Sequence, residues 1–287
     1  MWGFFSMAAQ KGFIYEQNTA DFLKPEGIVP QNFMPAGAGH DQPDLMIQFR
    51  GKKAGLELKI NQASFGSLVL HFYREQQLKG NNPWSWGSIG ADEKEKLFLQ
   101  DLGTRLKVLD EIKKNWTNTP HLIQDRQKLW NTPQMRKIYT KMGPKGRYGF
   151  DKKNFEDFRL DISAVEIERY YNLKNTYYIQ VGTHGFFLLG PRDPLKINQS
   201  NREAGLKPVP QFSNSCLSTA RIRCQSKGVT KAEQRFVETG DIFGPNGYQF
   251  TFELQVKGLK KSPFNIAPLA ARSVVPNRDK ATLEFLQ

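Results

Sequence analysis

Asp44, Glu57, Lys59 and Glu16 are the residues whose types and spacing can do chemistry. Asp44 opens an alternating run, Asp44-Leu-Met-Ile-Gln-Phe-Arg50, and a second alternating run follows at Leu56-Glu57-Leu58-Lys59-Ile60. The turn-like segment Gly51-Lys52-Lys53-Ala54-Gly55 lies between them, so the pair predicts a β-hairpin. Side chains alternate across a strand. Leu45, Ile47 and Phe49 therefore share one face with Leu56, Leu58 and Ile60, and Asp44, Glu57 and Lys59 take the other. In an antiparallel pair the start of the first strand lies beside the end of the second. Two carboxylates and an amine then converge on one sheet face, a set able to hold a cation or to answer a charge that develops in a reaction.

The fourth residue comes from a helix expected over residues 8 to 23 and stopped by Pro25 and Gly27. Ala9, Phe13, Glu16, Ala20 and Leu23 recur at intervals of four and three, which places Glu16 on an otherwise apolar face. Uncompensated burial of a carboxylate costs several kcal/mol. Glu16 must then sit at the wet end of the helix, pair with a cation, or hold a metal through water.

Pro43-Asp44, twelve intervening residues and Glu57-Leu58-Lys59 together resemble the PD-(D/E)XK nuclease superfamily, whose fold is the restriction-endonuclease-like one. The resemblance covers residues 8 to about 72, with 162 to 189 as its continuation. It implies hydrolysis of DNA phosphodiester bonds with Mg²⁺, for which Mn²⁺ would substitute. Asp44, Glu57 and the carbonyl of Leu58 would be the metal ligands. Lys59 would orient the attacking water or stabilise the oxyanion, and Glu16 resembles the acid that many members supply from their first helix. Other readings of the same residues stay open. Glu57 and Lys59 also fit the solvent face of an amphipathic strand with Asp44 as a turn cap, and Asp41 competes with Asp44 as the acid. His40 reads as a loop residue and Gln62 as a strand-end amide.

These residues need elements to position them. Beyond the hairpin, residues 90 to about 150 read as a helical insertion, with one run from Asp92 to Ile112 and a second from Leu122 to Met142. A helix at Ile162–Tyr171, a strand at Tyr177–Val181, a Gly-Thr-His-Gly turn and a strand at Phe186–Leu189 would complete the sheet begun at Asp44. Pro191 to Pro210 reads as a linker or long loop, and Leu217–Cys224 and Tyr248–Val256 as strands. The expected fold is α/β, a mixed central sheet flanked by helices with a β-rich C-terminal region. The expected division is a nuclease core at 1–190 and a basic region at 191–287.

Composition bounds the partners. The chain has 287 residues, 41 Lys+Arg against 28 Asp+Glu, and a formal net charge of +13. The balance is +1 over residues 1–80, +5 over 81–191 and +8 over 192–278, so a polyanion would be gripped mainly downstream. Arg202, Lys207, Arg221, Arg223 and Lys227 are the candidate DNA contacts, with Arg221 and Arg223 on one face of a strand. Trp84, Trp86 and Tyr148 either stack on bases or anchor loops. Two cysteines and four scattered histidines argue against a zinc site or a disulfide scaffold. No window is apolar enough for a membrane span, and a cytoplasmic protein is expected. The leading expectation is a site-specific endonuclease acting on double-stranded DNA, with a homodimer as the natural way to cut both strands. A structure-selective nuclease such as a Holliday-junction resolvase, and a non-catalytic nucleic-acid-binding protein on the same fold, are the alternatives.

Overall fold

A computed structural model of the protein describes residues 7–33, 42–61, 64–72, 84–87, 93–117, 157–225 and 248–266. The first two strands, β1 (Leu45–Phe49) and β2 (Lys52–Lys59), are set by the two residues between them. Arg50 and Gly51 both take positive φ, at 46° and 75°, which is the two-residue hairpin turn whose twist matches that of the flanking strands. Phe49 pairs with Lys52, and the register runs back to Leu45 against Leu56. The turn is thus shorter than the expected Gly51–Gly55, and Lys52 to Gly55 belong to the strand.

Two sheets follow among the described residues. The first has the order β1-β2-β6-β7, with β6 at Thr176–Val181 and β7 at Gly185–Leu188. Strand β2 runs parallel to β6 and antiparallel to β1, which makes the sheet mixed. A parallel neighbour requires a crossover, and its last helix is α4 (Ala164–Asn172), started by the Ser163 hydroxyl accepting from the Val165 N–H. The helix-strand-strand unit read from Ile162 onward does complete the sheet, although Ile162 ends a strand and the helix begins at Ala164.

The second sheet is antiparallel, in the order β4-β3-β9-β8-β5. Its strands are β3 (Ser67–Phe72), β4 (Trp84–Gly87), β5 (Phe158–Ile162), β8 (Leu217–Gln225) and β9 (Tyr248–Lys257). The late strands β8 and β9 fill its centre and the early ones flank them. A boundary at 190/191 therefore does not separate independent folding units among the described residues. Helices α2 (Glu93–Arg105) and α3 (Val108–Thr117) realise the first helical run of the expected insertion, while the run from Leu122 to Met142 lies outside the described residues.

Two apolar cores hold these layers. One joins the second sheet (Ile222, Phe252) to Leu99, Ile112, Ile167, Tyr171 and one face of the first sheet through Ile179, Val181 and Phe187. The other packs α1 (Met7–Leu23) through Tyr15, Ala20 and Leu23 onto the opposite face, against Leu45, Leu56, Leu58, Tyr178 and Phe186. The first sheet is covered on both sides, so β2 is apolar at Leu56 and Leu58 and still closed around Glu57. Residues 191–210 are not a linker: α5 (Ile197–Glu203) lies there, and Leu195, Ile197 and Val209 join the second core. Asp193 fixes this segment by accepting from the Tyr178 hydroxyl (2.6 Å) and the Asn198 N–H (2.7 Å). No helix among the described residues is long and apolar enough to cross a membrane.

Because β8 and β9 are central strands, a fragment ending at residue 190 lacks the middle of one sheet. We expect such a fragment to show no cooperative thermal transition and to bind a hydrophobic dye, where the whole chain melts cooperatively; a cooperative, dye-free fragment would revive the two-unit division.

Candidate active site

The hairpin register carries past Leu45–Leu56 to place Asp44 opposite Glu57. One oxygen of Asp44 accepts the Leu58 backbone N–H at 2.8 Å, so the carboxylate closes the ladder where β1 ends. Within a strand a residue's N–H and C=O point to the same edge. The Leu58 carbonyl accordingly faces the edge that Asp44 occupies. Alternation along β2 brings Lys59 onto the side of Glu57, and its Nζ stands 2.6 Å from Glu57 Oε1. Strand β6 finishes level with this group, with Val181 beside Lys59. Gly182, at φ 31°, lets the chain turn against β2, because a Cβ there would lie 2.0 Å from the Ile60 carbonyl oxygen. The cluster thus sits at the carboxyl end of the parallel pair, where open α/β sheets commonly place ligand sites.

Glu57 is only 5% exposed, which rules out the solvent face of an amphipathic strand. Its charge is answered by Lys59 and by Tyr171 of α4, whose hydroxyl donates to it. The Lys59 ammonium also lies 5.8 Å from the centre of the Tyr171 ring. Burial alone would lower the Lys59 amine, but Glu57 and Asp44 outweigh it and hold the group above its ordinary value as a cation. Asp44 goes the other way. Burial, then the Glu57 charge, push its carboxyl well above the usual range; Glu16 adds to the push, while Lys59 and the Leu58 N–H oppose it. Glu16 is raised as well, by burial and then by Glu57, with Lys59 opposing. Tyr170, beside the same group, is pushed up to about 12 by burial and then by Glu57. Negative charge is in excess here. One ammonium faces three acids in a half-buried site, a balance that a bound cation would restore.

The structure brings Asp44, Glu57 and Lys59 together and sets Glu16 within electrostatic reach. The face of α1 differs from the expected one. Tyr15, Thr19, Ala20 and Leu23 are buried and Phe13 is 46% exposed, so the buried face is shifted toward Tyr15 and Thr19, while Glu16, between Leu23 and Ala20 around the helix, stays on that face and is half-buried. Among the described residues no three His, Cys, Asp or Glu side chains close into one metal-holding group. The donors offered to a hard cation are therefore two carboxylates and the Leu58 carbonyl. That set fits Mg²⁺, which is usually held by one or two carboxylates and keeps several waters. His40, Asp41 and Gln62 lie outside the described residues.

The expected DNA contacts do not gather. Arg202 and Lys207 are exposed on and after α5, on the side of the second core. Arg221 and Arg223 share the face of β8 that points away from the first core, and Arg221 is bound to Asp157, its Nε donating at 3.0 Å. Lys227 and Tyr148 lie outside the described residues. Trp86 packs edge-on against Phe252 at 6.0 Å and is an anchor to the core; of the Trp84 side chain nothing is described. The sequence reading missed Tyr170 and Tyr171. Their adjacent pair in a helix carries no signal, since their contact with Glu57 spans more than a hundred residues of chain. No protein-family model, curated protein or solved structure matches the chain.

A carboxyl raised on folding contributes stability that is complete below its unfolded pKa and lost as pH rises through the folded one. Asp44→Asn removes that loss. We expect the variant, in metal-free buffer, to melt several degrees above the parent near pH 7 and to match it near pH 3; equal melting temperatures at both would refute the buried-charge account. Tyr171→Phe deletes one bond to a buried carboxylate, and a loss of about 1.5–3 kcal/mol by denaturant titration is expected.

Proposed function

We propose that the chain is a Mg²⁺-dependent deoxyribonuclease of the PD-(D/E)XK type, with Mn²⁺ able to substitute. The observation that carries this reading is Asp44 set opposite Glu57 across the hairpin with the Lys59 ammonium 2.6 Å from Glu57. The architecture supports it: α1 leads into the hairpin, α4 leads into the parallel strand β6, and helices lie on both faces of a mixed four-stranded sheet. We read that arrangement as restriction-endonuclease-like.

Asp44, Glu57 and the Leu58 carbonyl would hold the ion. Bound there, Mg²⁺ supplies neutralisation of the phosphate charge and lowers the pKa of an attacking water. Lys59, held as a cation by two acids, suits stabilisation of the developing oxyanion and orientation of the water, and not proton abstraction. Tyr171 keeps Glu57 in place from the opposite layer. Glu16 adds negative charge at the rim as an auxiliary acid. The net charge of +13 favours a polyanionic substrate, and we read the activity as endonucleolytic cleavage of double-stranded DNA at specific sites by a dimer.

Supercoiled and linear plasmid incubated with Mg²⁺, Mn²⁺ or EDTA tests the reading. Discrete fragments that need metal and fall by about 10²–10⁴-fold in Glu57→Ala and Lys59→Ala are expected. Plasmid left intact with every metal, although bound by folded protein, would leave a branched substrate to be tried and then a binding protein without catalysis.

A further inference from the structure

Lys260 and Lys261 lie on an irregular strap after β9 that the rest of the fold pins to the active-site end of the first sheet. Their side chains are exposed, yet the backbone around them is fixed at both ends. The Lys260 N–H donates to the Ser215 carbonyl at 2.9 Å, and the Ser262 N–H to the His184 carbonyl at 2.7 Å. Just beyond, the Phe186 N–H donates to the Phe264 carbonyl at 2.8 Å, so the strap covers the outer edge of β7. Gln180, 0% exposed, completes the clamp: its amide donates to Asn265 Oδ1 at 2.7 Å and its carbonyl accepts the Ile266 N–H at 3.2 Å. Leu259 on one side and Phe264 on the other enter the two different cores, so the chain passes over the end of the sheet between them.

That end is the one that holds Asp44, Glu57 and Lys59. Val181 pairs with Lys59, and His184, which receives the strap, follows Val181 by three residues. Strand spacing and helical rise put the Lys261 Cα within about 20 Å of the Lys59 Cα, little more than half of one turn of B-form DNA. Neither Val256–Ile266 nor Val181–Arg192 contains an acidic residue, so nothing along these two stretches cancels the charge of the strap. Surface lysines are usually mobile and weakly committed. These two are carried on backbone whose place relative to the site is set by hydrogen bonds, the condition for positioning a backbone phosphate rather than merely attracting one.

We propose that Lys260 and Lys261 form a phosphate-binding shelf for duplex DNA, engaging the sugar–phosphate backbone beside the position to be cut. The shelf's role in cutting rests on the nuclease reading; its role in binding does not. It also moves the electrostatic grip away from Arg221, whose charge Asp157 already answers, to residues at the same end as the site.

The test is fluorescence anisotropy of a labelled 30-base-pair duplex over a range of salt concentrations in Ca²⁺, paired with plasmid cleavage in Mg²⁺. The proteins are the whole chain, Lys260→Ala/Lys261→Ala and, as a control at the far end of the hairpin, Lys52→Ala/Lys53→Ala. The shelf variant should bind at least tenfold more weakly, with the slope of log K against log salt reduced by about 2, while the control keeps its slope. An unchanged slope in the shelf variant, or an equal drop in the control, overturns the proposal even if the parent cuts plasmid. Loss of slope in the shelf variant with no plasmid cutting by the parent keeps the shelf and removes site-specific cleavage of linear duplex. A parent that neither binds nor cuts removes both.

Discussion

The carboxylate of Glu57 lies in the strand that joins the two halves of its sheet, and at 5% exposure it has to find its partners within the protein. Everything around the site answers that constraint. Lys59 is drawn to it from two residues away, Tyr171 donates to it from the facing helix, and Asp44 is pushed toward its neutral form by burial and then by the Glu57 charge. Replacing such a group with a leucine would suit the first core better on packing grounds alone. A fold that retains it keeps a cluster of acids matched by a single ammonium at the end of two parallel strands.

The second sheet explains how that charge stays in place. Helix α4 is held through two buried carboxylates: Glu166 receives Arg105 of α2 at 2.9 Å, and Glu168 accepts the Ser213 N–H at 2.8 Å. Lys174 after the helix pairs with the buried Glu95 of α2. These contacts leave Tyr170 and Tyr171 to face the first sheet. The helical and late strand elements, which share no motif with the acids, thus form the wall against which Glu57 is oriented.

Local pattern made the acid pair and the lysine legible. Period-two alternation, a nearby turn and Pro43-Asp44 fixed which residues faced which side, and the strands at 177–181, 217–224 and 248–256 were visible for the same reason. What failed was partly turn geometry and mostly whatever distant contacts decide. The turn shortened to Arg50–Gly51 because strand twist favours two residues with positive φ. The face of α1 rotated toward Tyr15 and Thr19 because the second core receives it there, moving Phe13 outward. A polar, proline-bearing stretch looked like a linker, yet Asp193 and Tyr178 tie it down, and the strand pairing of β3 with β9 crosses nearly two hundred residues. Basic residues were read from their density, and density cannot tell an arginine already held by Asp157 from a lysine fixed beside the site.

The most direct measurement of the central claim is calorimetric titration of Mn²⁺ into the metal-free protein in two buffers of different ionisation enthalpy. The account predicts a saturable site whose binding releases protons, because a carboxyl raised by burial and by Glu57 must ionise to ligate, and predicts that both binding and release disappear in an Asp44→Asn/Glu57→Gln double variant. Saturable binding that is the same in parent and variant, or no binding by a parent shown to be folded, would contradict it.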